Sequence, residues 1–229
     1  VFCVGGLGDE NIRTLPKMTR QELCKSTGFA LMQPFALVTF HPETGANAPD
    51  PALQVQALCT AMERVGNVFW LITGSNADAG GQICTAAMQA FAAAHPDRAG
   101  FVQSLGLKRY LSAMSFAALV AGNSSSGVVE TPTFGVPTVN IGNRQAGRIQ
   151  CANVLSCPGD ADAIEQALRT ALTPEFAVTA RTARSPYGGG DTSGKIVRVL
   201  QRLAGIELLT TAKPFYDGPV PEFDPANDV

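Results

Sequence analysis

Short apolar runs alternate with amphipathic segments along most of the chain. Residues 35–40 (FALVTF) and 68–72 (VFWLI) are almost continuously apolar, which is typical of strands covered on both faces of a parallel sheet. Between these runs, apolar residues recur at helical spacing from Leu53 to Val65. Asp50 followed by Pro51 is typical of a helix start, because the carboxylate caps free N–H groups and proline suits the first helical position.

The alternation continues as far as residue 172. It predicts further strands over residues 100–105, 117–121, 137–141 and 154–156, and further helices over residues 78–94, 107–115, 124–134 and 160–172. Parallel strands joined by helices imply right-handed crossovers. The sequence therefore predicts an α/β fold with a Rossmann-like, doubly wound parallel sheet.

The two ends of the chain interrupt this pattern. Residues 1–4 (VFCV) predict a strand without any start signal, and we therefore expect that part of a longer protein precedes them. Residues 174–184 and 191–203 predict two closing helices. Residues 206–229 are rich in proline and acids, which predicts an irregular tail.

The composition argues against several classes of function. The 229 residues are 45% hydrophobic with a formal net charge of -2, so we expect no basic face that could follow a nucleic-acid backbone. No apolar run approaches the roughly 20 residues of a membrane span, and the first residues do not resemble a signal peptide. Six cysteines without a C-x-x-C pair, and only two histidines, argue against a metal site. We expect a cytoplasmic protein with reduced cysteines.

Ligands bind doubly wound sheets outside the carboxyl ends of the strands, so candidate chemistry is expected there. The run from Gly122 to Glu130 (GNSSSGVVE) follows a predicted strand and opens a predicted helix. Free N–H groups, the helix dipole and the hydroxyls of Ser124 and Ser125 suit a phosphate. The carboxylate of Glu130 suits the two hydroxyls of a ribose. The alternative is that the serines only cap the helix.

Two further strand ends carry polar candidates. His41 follows the strand at 35–40, and a histidine protonated near neutral pH could stabilise or protonate a leaving phosphate oxygen. The alternative is a structural histidine that caps the loop. Asn76 follows the strand at 68–72 and could bind a sugar or a phosphate. For Asp78 we favour the structural interpretation, a cap of the next helix.

The last two candidates are an arginine and a tyrosine. Arg144 lies in a glycine-rich loop after a predicted strand, where its guanidinium could grip a diphosphate with forked donors. Arg148 lies in the same loop, and either arginine could instead be an ordinary surface residue. Tyr110 follows the strand at 100–105 and could stack on a base, or simply pack in the core.

Four segments together resemble one enzyme family: VTFHPET, SNADAGG, GNSSSGVVETPTFGVPTVNIGNRQAGR and SPYGGGDTSGKI. In order and spacing they resemble the hydrolysing UDP-N-acetylglucosamine (UDP-GlcNAc) 2-epimerases, over nearly all of residues 1–203. The resemblance implies half of a GT-B-type fold, in which two Rossmann-like domains enclose the active site. The implied organisation is a remnant of the N-terminal domain with a linker (1–34), a UDP-binding domain (35–185), a C-terminal crossover helix (186–205) and the tail (206–229).

The resemblance also implies residue roles and a reaction. Ser124, Ser125 and Arg144 match ligands of the UDP diphosphate, and Glu130 matches the ligand of the ribose. Further matches are the base-stacking Tyr110, the backbone of Leu105 at the uracil edge, the polar ligand Asn76 and the activity-determining His41. UDP is eliminated to give a glycal, and water then adds to give N-acetylmannosamine, with no cofactor.

The implied partners are a UDP-sugar and, in the full-length protein, further copies in a homo-oligomer. The acidic residues that remove the sugar proton belong to the missing domain in this family, so we expect the fragment alone to be inactive. Open alternatives are a non-hydrolysing epimerase, a hydrolysing epimerase of another UDP-sugar, a B-type glycosyltransferase and an inactive UDP-binding module. The non-hydrolysing relatives carry Ser-Gly-Gly where this chain has Ser125-Ser126-Gly127, which favours hydrolysis.

Overall fold

The computed structural model describes residues 2–45 and 48–203. These residues fall into two compact units, one formed by residues 15–186 and the other by residues 2–14 with 187–203. The strands of the described part are β1 (Phe35–Thr39), β2 (Phe69–Thr73), β3 (Ala99–Val102), β4 (Leu119–Gly122), β5 (Thr138–Ile141) and β6 (Val154–Cys157). The helices are α1 (Leu7–Thr14), α2 (Arg20–Thr27), α3 (Pro51–Arg64), α4 (Gly81–Ala94), α5 (Gly106–Phe116), α6 (Ser126–Val129), α7 (Thr131–Phe134), α8 (Ala161–Ala171), α9 (Pro174–Thr182) and α10 (Thr192–Leu203).

All six strands lie in the larger unit and form one parallel sheet in the order β3-β2-β1-β4-β5-β6. Leu37 of β1 lies between Leu71 of β2 and Val120 of β4. The strand order runs outward from the β1–β4 pair in both directions, which makes this pair the topological switch point. Ligands of doubly wound sheets bind at the carboxyl ends of such a pair. The prediction of a doubly wound parallel sheet is confirmed.

The continuous apolar runs reflect burial on both faces of the sheet. Side chains alternate between faces along a strand, so Ala36 and Val38 contribute to one core cluster while Phe35 and Leu37 contribute to the other. Helices α3, α4 and α8 cover the first cluster, and α2 and α5 contribute residues to the second. Both faces of β1 and β2 are therefore buried, so these strands lack the alternation of apolar and polar residues that is typical of a half-exposed strand.

Helix starts were predicted with mixed success. Asp50 caps α3 by accepting from the Ala52 N–H at 2.7 Å, and Pro51 occupies the first turn. The helix predicted from residue 78 begins only at Gly81, and its N-cap is Gly80 with a φ of 84° and no side-chain cap. The expectation that Asp78 caps α4 is therefore wrong. A Cβ at Gly81 would lie 2.1 Å from the Asn76 carbonyl oxygen, so the close approach of the preceding loop requires glycine.

The helix predicted over residues 124–134 is wrong as a continuous element. Two single turns, α6 and α7, replace it and meet at Glu130. Pro132 lies in the first turn of α7 and has no N–H to continue a helix from α6. A turn of this length has few aligned peptide dipoles, so an anion here would be held by local N–H and hydroxyl donors more than by a helix dipole.

The smaller unit contains α1 and α10. Residues 2–6 form no strand, and residue 1 is not described, so the predicted strand at residues 1–4 is wrong wherever it can be judged. Gly5 has a φ of 91°, a left-handed conformation that interrupts an extended strand. Gly6 donates to the Tyr187 carbonyl at 3.0 Å, and the Glu10 carboxylate accepts from the Ser193 N–H at 2.7 Å. The predicted tail at residues 206–229 lies outside the described residues.

Candidate functional site

The carboxyl ends of β1 and β4 come unusually close together. A Cβ added at Gly122, the last residue of β4, would lie 1.9 Å from the Thr39 carbonyl oxygen, and Gly122 has a φ of 132°. Only glycine fits such an approach. The loops that follow β1 and β4 therefore begin side by side at the switch point of the sheet.

Asn123 joins these two loops. Its Nδ2 donates to the His41 carbonyl at 2.7 Å, and its Oδ1 accepts from the His41 N–H at 2.8 Å. Its own N–H donates to the Thr39 carbonyl at 3.2 Å. Asn123 is fully buried, so water does not compete for these bonds. The backbone of His41 is consequently held in one position relative to the serine segment.

The ring of His41 is held by the loop that follows β2. Its Nδ1 accepts from the Asn76 N–H at 3.0 Å and lies 3.2 Å from Ser75 Oγ. Because Nδ1 is an acceptor, the proton of the neutral ring lies on Nε2. Burial and, to a smaller degree, the positive charge of Arg144 hold the pKa of His41 below its ordinary value, although Asp78 acts in the other direction.

These contacts correct one expectation from the sequence. We expected a histidine that is protonated near neutral pH, but the accepted N–H and the lowered pKa both favour the neutral ring. Neutral His41 can still donate one hydrogen bond through Nε2. It therefore suits the stabilisation of a developing negative charge better than the transfer of a proton.

Asn76, Asp78 and Arg144 form a polar row beside His41. The Asn76 amide donates to the Asp78 carboxylate, and that carboxylate lies 3.8 Å from the Arg144 guanidinium. This pairing explains why Asp78 does not cap α4, because its carboxylate is turned towards the loop after β5. The Arg144 side chain remains 29% exposed, which leaves donors free for a ligand.

The loop after β5 is anchored at two points. The Glu43 carboxylate accepts from the Asn143 N–H at 2.6 Å, and the Asn123 carbonyl accepts from Gln145 Nε2 at 2.8 Å and from Arg144 at 3.3 Å. Asn123 therefore links its own loop, after β4, to the loops after β1 and β5. Asn123, Glu43 and Gln145 were not predicted from the sequence as site residues, although Asn123 directly precedes Ser124.

The serine segment offers donors that the described part of the chain does not use. The N–H groups of Ser124, Ser125 and Ser126 donate to no described acceptor, and the Ser125 side chain makes no capping bond. Capping, the alternative interpretation of these serines, does not occur at Ser125. Ser126 Oγ donates to Ser124 Oγ at 3.1 Å. Ser126 was not selected from the sequence, and no local pattern distinguishes it from its neighbours.

A cavity of about 340 Å³ lies at the carboxyl ends of β2 and β3. Tyr110 and Leu105 both line it, with Gly74 and Gln103 among the other walls. Leu105 as a whole is only 3% exposed, and its carbonyl already accepts from Arg109 Nε at 2.8 Å, so it offers little surface to a ligand. The Tyr110 ring is half-buried, and its hydroxyl lies 2.7 Å from Ser126 Oγ.

Glu130 lies at the junction of α6 and α7. Burial raises the pKa of its carboxyl, and no described residue donates to its carboxylate. A half-buried carboxylate without a donor is suited to accept from ligand hydroxyls. The structure thus brings His41, Asn76, Ser124 and Arg144 together around Asn123, and it connects Tyr110 to Ser124 through Ser126. Ser125 and Glu130 follow on the same segment, and Leu105 shares the cavity of Tyr110.

The described residues contain no group of three or more His, Cys, Asp or Glu residues placed to hold a metal ion. They also contain no helix with the length and apolar character needed to cross a membrane. All six cysteines are free thiols.

Solved structures share this fold. The chain superposes on a complex described as S. aureus MnaA–UDP with a TM-score of 0.66 and 15% identity, covering 95% of this chain and 57% of the other. It superposes on UDP-GlcNAc 2-epimerase from Neisseria meningitidis bound to UDP-GlcNAc with a TM-score of 0.62 and 12% identity, covering 80% and 49%. At these identities the likeness concerns the fold alone, and it supports the expected GT-B-type half.

Sequence comparisons point to the same family. "Polysialic acid biosynthesis protein P7" of Escherichia coli is 30% identical over 220 residues, which are 96% of this chain and 55% of that protein. "GDP/UDP-N,N'-diacetylbacillosamine 2-epimerase (hydrolyzing)" of Campylobacter jejuni is 30% identical over 176 residues, 77% of this chain and 45% of that protein. The chain thus spans about half the length of the curated relatives it matches. A sequence model of the UDP-N-acetylglucosamine 2-epimerase family matches residues 1–201, and the chain therefore belongs to that family.

Proposed function

We propose that this chain is the nucleotide-binding half of a hydrolysing UDP-GlcNAc 2-epimerase. The complete enzyme would convert UDP-GlcNAc and water into N-acetylmannosamine and UDP through a glycal, in the synthesis of sialic-acid-like sugars. The observation that carries this proposal is the convergence of His41, Arg144 and the serine segment on Asn123 at the switch point of the sheet. Relatives whose names include "hydrolyzing" support the hydrolytic outcome.

The site is suited to the departure of UDP. In the elimination, a base takes the C2 proton, the C1–C2 double bond forms, and the electrons of the C1–O bond leave with the diphosphate. Negative charge then grows on the diphosphate oxygens. The N–H and hydroxyl groups of Ser124 and Ser125 and the guanidinium of Arg144 would bind these oxygens. Donors placed in advance where charge develops are an effective form of catalysis.

His41 has a defined part in this scheme. It donates through Nε2–H to the leaving oxygen and keeps its proton, because its Nδ1 is already bonded to the Asn76 N–H. We propose that the base for the C2 proton is supplied by the other domain of the two-domain fold, as the resemblance to this family implies. Water then adds to the glycal. Its oxygen bonds to C1, and a proton is returned to C2 on the face opposite to the one that lost the original proton.

The nucleoside would lie in the cavity of Tyr110 and Leu105. The Tyr110 ring would stack on uracil, the backbone of Leu105 would bind the edge of the base, and the Glu130 carboxylate would accept from the ribose hydroxyls. Asn76 would contact the phosphate or the sugar. We further propose that the protein is cytoplasmic, forms homo-oligomers, and is organised into residues 1–34, 35–185, 186–205 and 206–229 as described above.

A second substrate is favoured by two relatives. Proteins of Campylobacter jejuni and Legionella pneumophila, 30% and 27% identical to this chain, are named for N,N'-diacetylbacillosamine linked to UDP, and in the first case also to GDP. A 2,4-diacetamido trideoxy sugar is therefore the alternative to N-acetylglucosamine. The same elimination and hydration would apply, because both sugars carry an acetamido group at C2.

Turnover by the full-length protein tests the proposal. The protein is incubated separately with UDP-GlcNAc and with UDP-N,N'-diacetylbacillosamine, and products are identified by NMR. Free N-acetylmannosamine supports the main proposal, and a free 2-epimer of the second sugar alone supports the alternative. A UDP-linked epimer would show a non-hydrolysing enzyme, and absence of turnover with both would reduce the chain to a UDP-binding role.

A further inference from the structure

The Tyr110 hydroxyl belongs to a continuous chain of hydroxyl groups along the carboxyl edge of the sheet. On one side it lies 2.7 Å from Ser126 Oγ, which donates to Ser124 Oγ at 3.1 Å. On the other side it lies 3.3 Å from Thr39 Oγ1, which lies 2.8 Å from Thr73 Oγ1. Side chains from β1, β2, α5 and the serine segment are thereby linked.

The direction of the hydrogen bonds follows from one proton per hydroxyl. Ser126 gives its proton to Ser124, so it must accept from Tyr110. Ser124 Oγ accepts from Ser126, and no described hydrogen bond is donated by Ser124, so its proton is available to a phosphate oxygen. At the other end of the series, Thr73 donates to the Val38 carbonyl at 3.2 Å, so the last hydroxyl proton on that side already has an acceptor within the protein.

We propose that the Tyr110 hydroxyl is a positioning group for the diphosphate. By donating to Ser126 it orients Ser126 towards Ser124, and Ser124 then directs its proton at a phosphate oxygen. This inference rests on the proposed function and adds a role for Tyr110 beyond stacking on the base. One side chain would thus join the nucleoside cavity to the oxyanion site.

The surroundings of the network favour such a role. Thr39 and Ser126 are 8% and 7% exposed, so water competes little for their hydrogen bonds. Burial raises the pKa of Tyr110, so its hydroxyl keeps its proton at neutral pH. Hydrogen bonds in series strengthen one another in a buried setting, which would make Ser124 a better donor than an isolated serine.

Calorimetry on the full chain tests the proposal with UDP, inorganic pyrophosphate and uridine. Tyr110→Phe keeps the ring and removes only the hydroxyl. We expect it to weaken UDP and pyrophosphate by about three- to tenfold, the effect of one hydrogen bond, and to change uridine binding less than about twofold. Ser126→Ala should weaken UDP and pyrophosphate similarly, and the double variant should be no weaker than Ser126→Ala alone, because both changes break the same series.

Thr39→Val is the matched control. It removes a hydroxyl that also lies close to the Tyr110 hydroxyl. This hydroxyl is on the side of Tyr110 away from Ser124, so UDP affinity should stay within about twofold of the parent. Equal UDP affinity in Tyr110→Phe and the parent would overturn the inference while leaving the proposed function intact. If the parent binds pyrophosphate but not UDP, and Tyr110→Phe weakens the pyrophosphate binding, the inference stands and the proposed function is contradicted. If the parent binds neither UDP nor pyrophosphate, both the inference and the proposed function are contradicted.

Discussion

The side-chain amide of Asn123 bonds to both backbone groups of His41, at 2.8 Å to the N–H and 2.7 Å to the carbonyl. These residues are 82 positions apart in the sequence, and the contact ties the end of β1 to the end of β4. An asparagine amide suits this role because it has one acceptor and two donors within a small planar group. His41 and the serine segment are thereby fixed relative to each other.

Asn123→Asp should damage both stability and ligand binding. The substitution keeps the size and the acceptor but replaces the donor to the His41 carbonyl with a buried oxygen. We expect a loss of about 1–3 kcal/mol in the free energy of unfolding, as for a buried group left without its partner, together with weaker UDP binding. Urea unfolding and calorimetry measure the two effects.

Asn153→Asp is a matched control for this prediction. Asn153 is equally buried and donates to Thr131 and to the Val136 carbonyl, neither of which is a candidate site residue. It should lose comparable stability and keep its UDP affinity. If both variants bind UDP as the parent does, Asn123 has only a structural role.

Two substitutions of His41 distinguish a neutral donor from an acid. In the full-length enzyme, His41→Ala should lower kcat by about 10²–10³, as removal of an oxyanion donor does, and change UDP affinity much less. His41→Gln keeps an N–H near the position of Nε2 and should recover part of the lost rate. An imidazolium acid could not be replaced in this way, so equal rates for the two variants would contradict the neutral-donor mechanism.

The pH dependence of stability should carry a contribution from His41. Its pKa is lower in the folded chain than its ordinary value, so below about pH 6.5 the unfolded chain binds more protons. The contribution to stability is therefore fully present above that pH and is lost as the pH falls below it.

Urea unfolding of the parent and His41→Gln at about pH 7.5 and about pH 5.5 measures this effect. Other titrating groups are common to both proteins and cancel in the comparison. The parent should lose more stability on acidification than the variant. The opposite ordering would mean that His41 is stabilised as a cation in the folded chain.

Arg144→Lys should weaken UDP binding although it preserves the charge. Lysine has no forked pair of donors for a diphosphate, and we expect a loss of about 1.5–3 kcal/mol in binding free energy, the range for one hydrogen bond to a charged group. Arg148→Lys is the control on the same loop, because no described hydrogen bond or ion pair joins the Arg148 side chain to the candidate site, whereas Arg144 donates to the Asn123 carbonyl and lies near Asp78. Similar affinities for the two variants would place the diphosphate elsewhere.

Several features of the fold could be predicted because they depend on neighbouring residues. The double-sided burial of β1 and β2 appears directly as continuous apolar runs, and Asp50-Pro51 marks the start of α3 by local capping chemistry. The candidate site could be predicted to lie at the strand ends, since parallel sheets place these at one edge. In the structure His41, Asn76, Ser124, Ser125 and Arg144 follow strand ends and Leu105 precedes α5, whereas Tyr110 lies within α5 and Glu130 between α6 and α7. Their roles remain proposals.

Other features depended on contacts that the sequence pattern does not contain. Asp78 has the composition of a helix cap, but its carboxylate pairs with Asn76 and lies 3.8 Å from Arg144. The approach of Arg144 is a contact across 66 positions of the chain, which the local sequence around Asp78 does not contain. The break between α6 and α7 likewise leaves the serine segment without a long helix behind it.

The sequence by itself determined that the chain forms a parallel α/β sheet and where along the chain polar chemistry follows each strand. Periodicity and capping depend on residues a few positions apart, so both can be recognised in the amino-acid sequence alone. Only the tertiary structure decided that the His41 ring accepts from Asn76, that Asn123 holds three loops together, and that Tyr110 reaches Ser124 through Ser126. Hydrogen bonds between distant segments depend on strand order and loop geometry. These are properties of the whole folded chain, and a short segment of the sequence does not contain them.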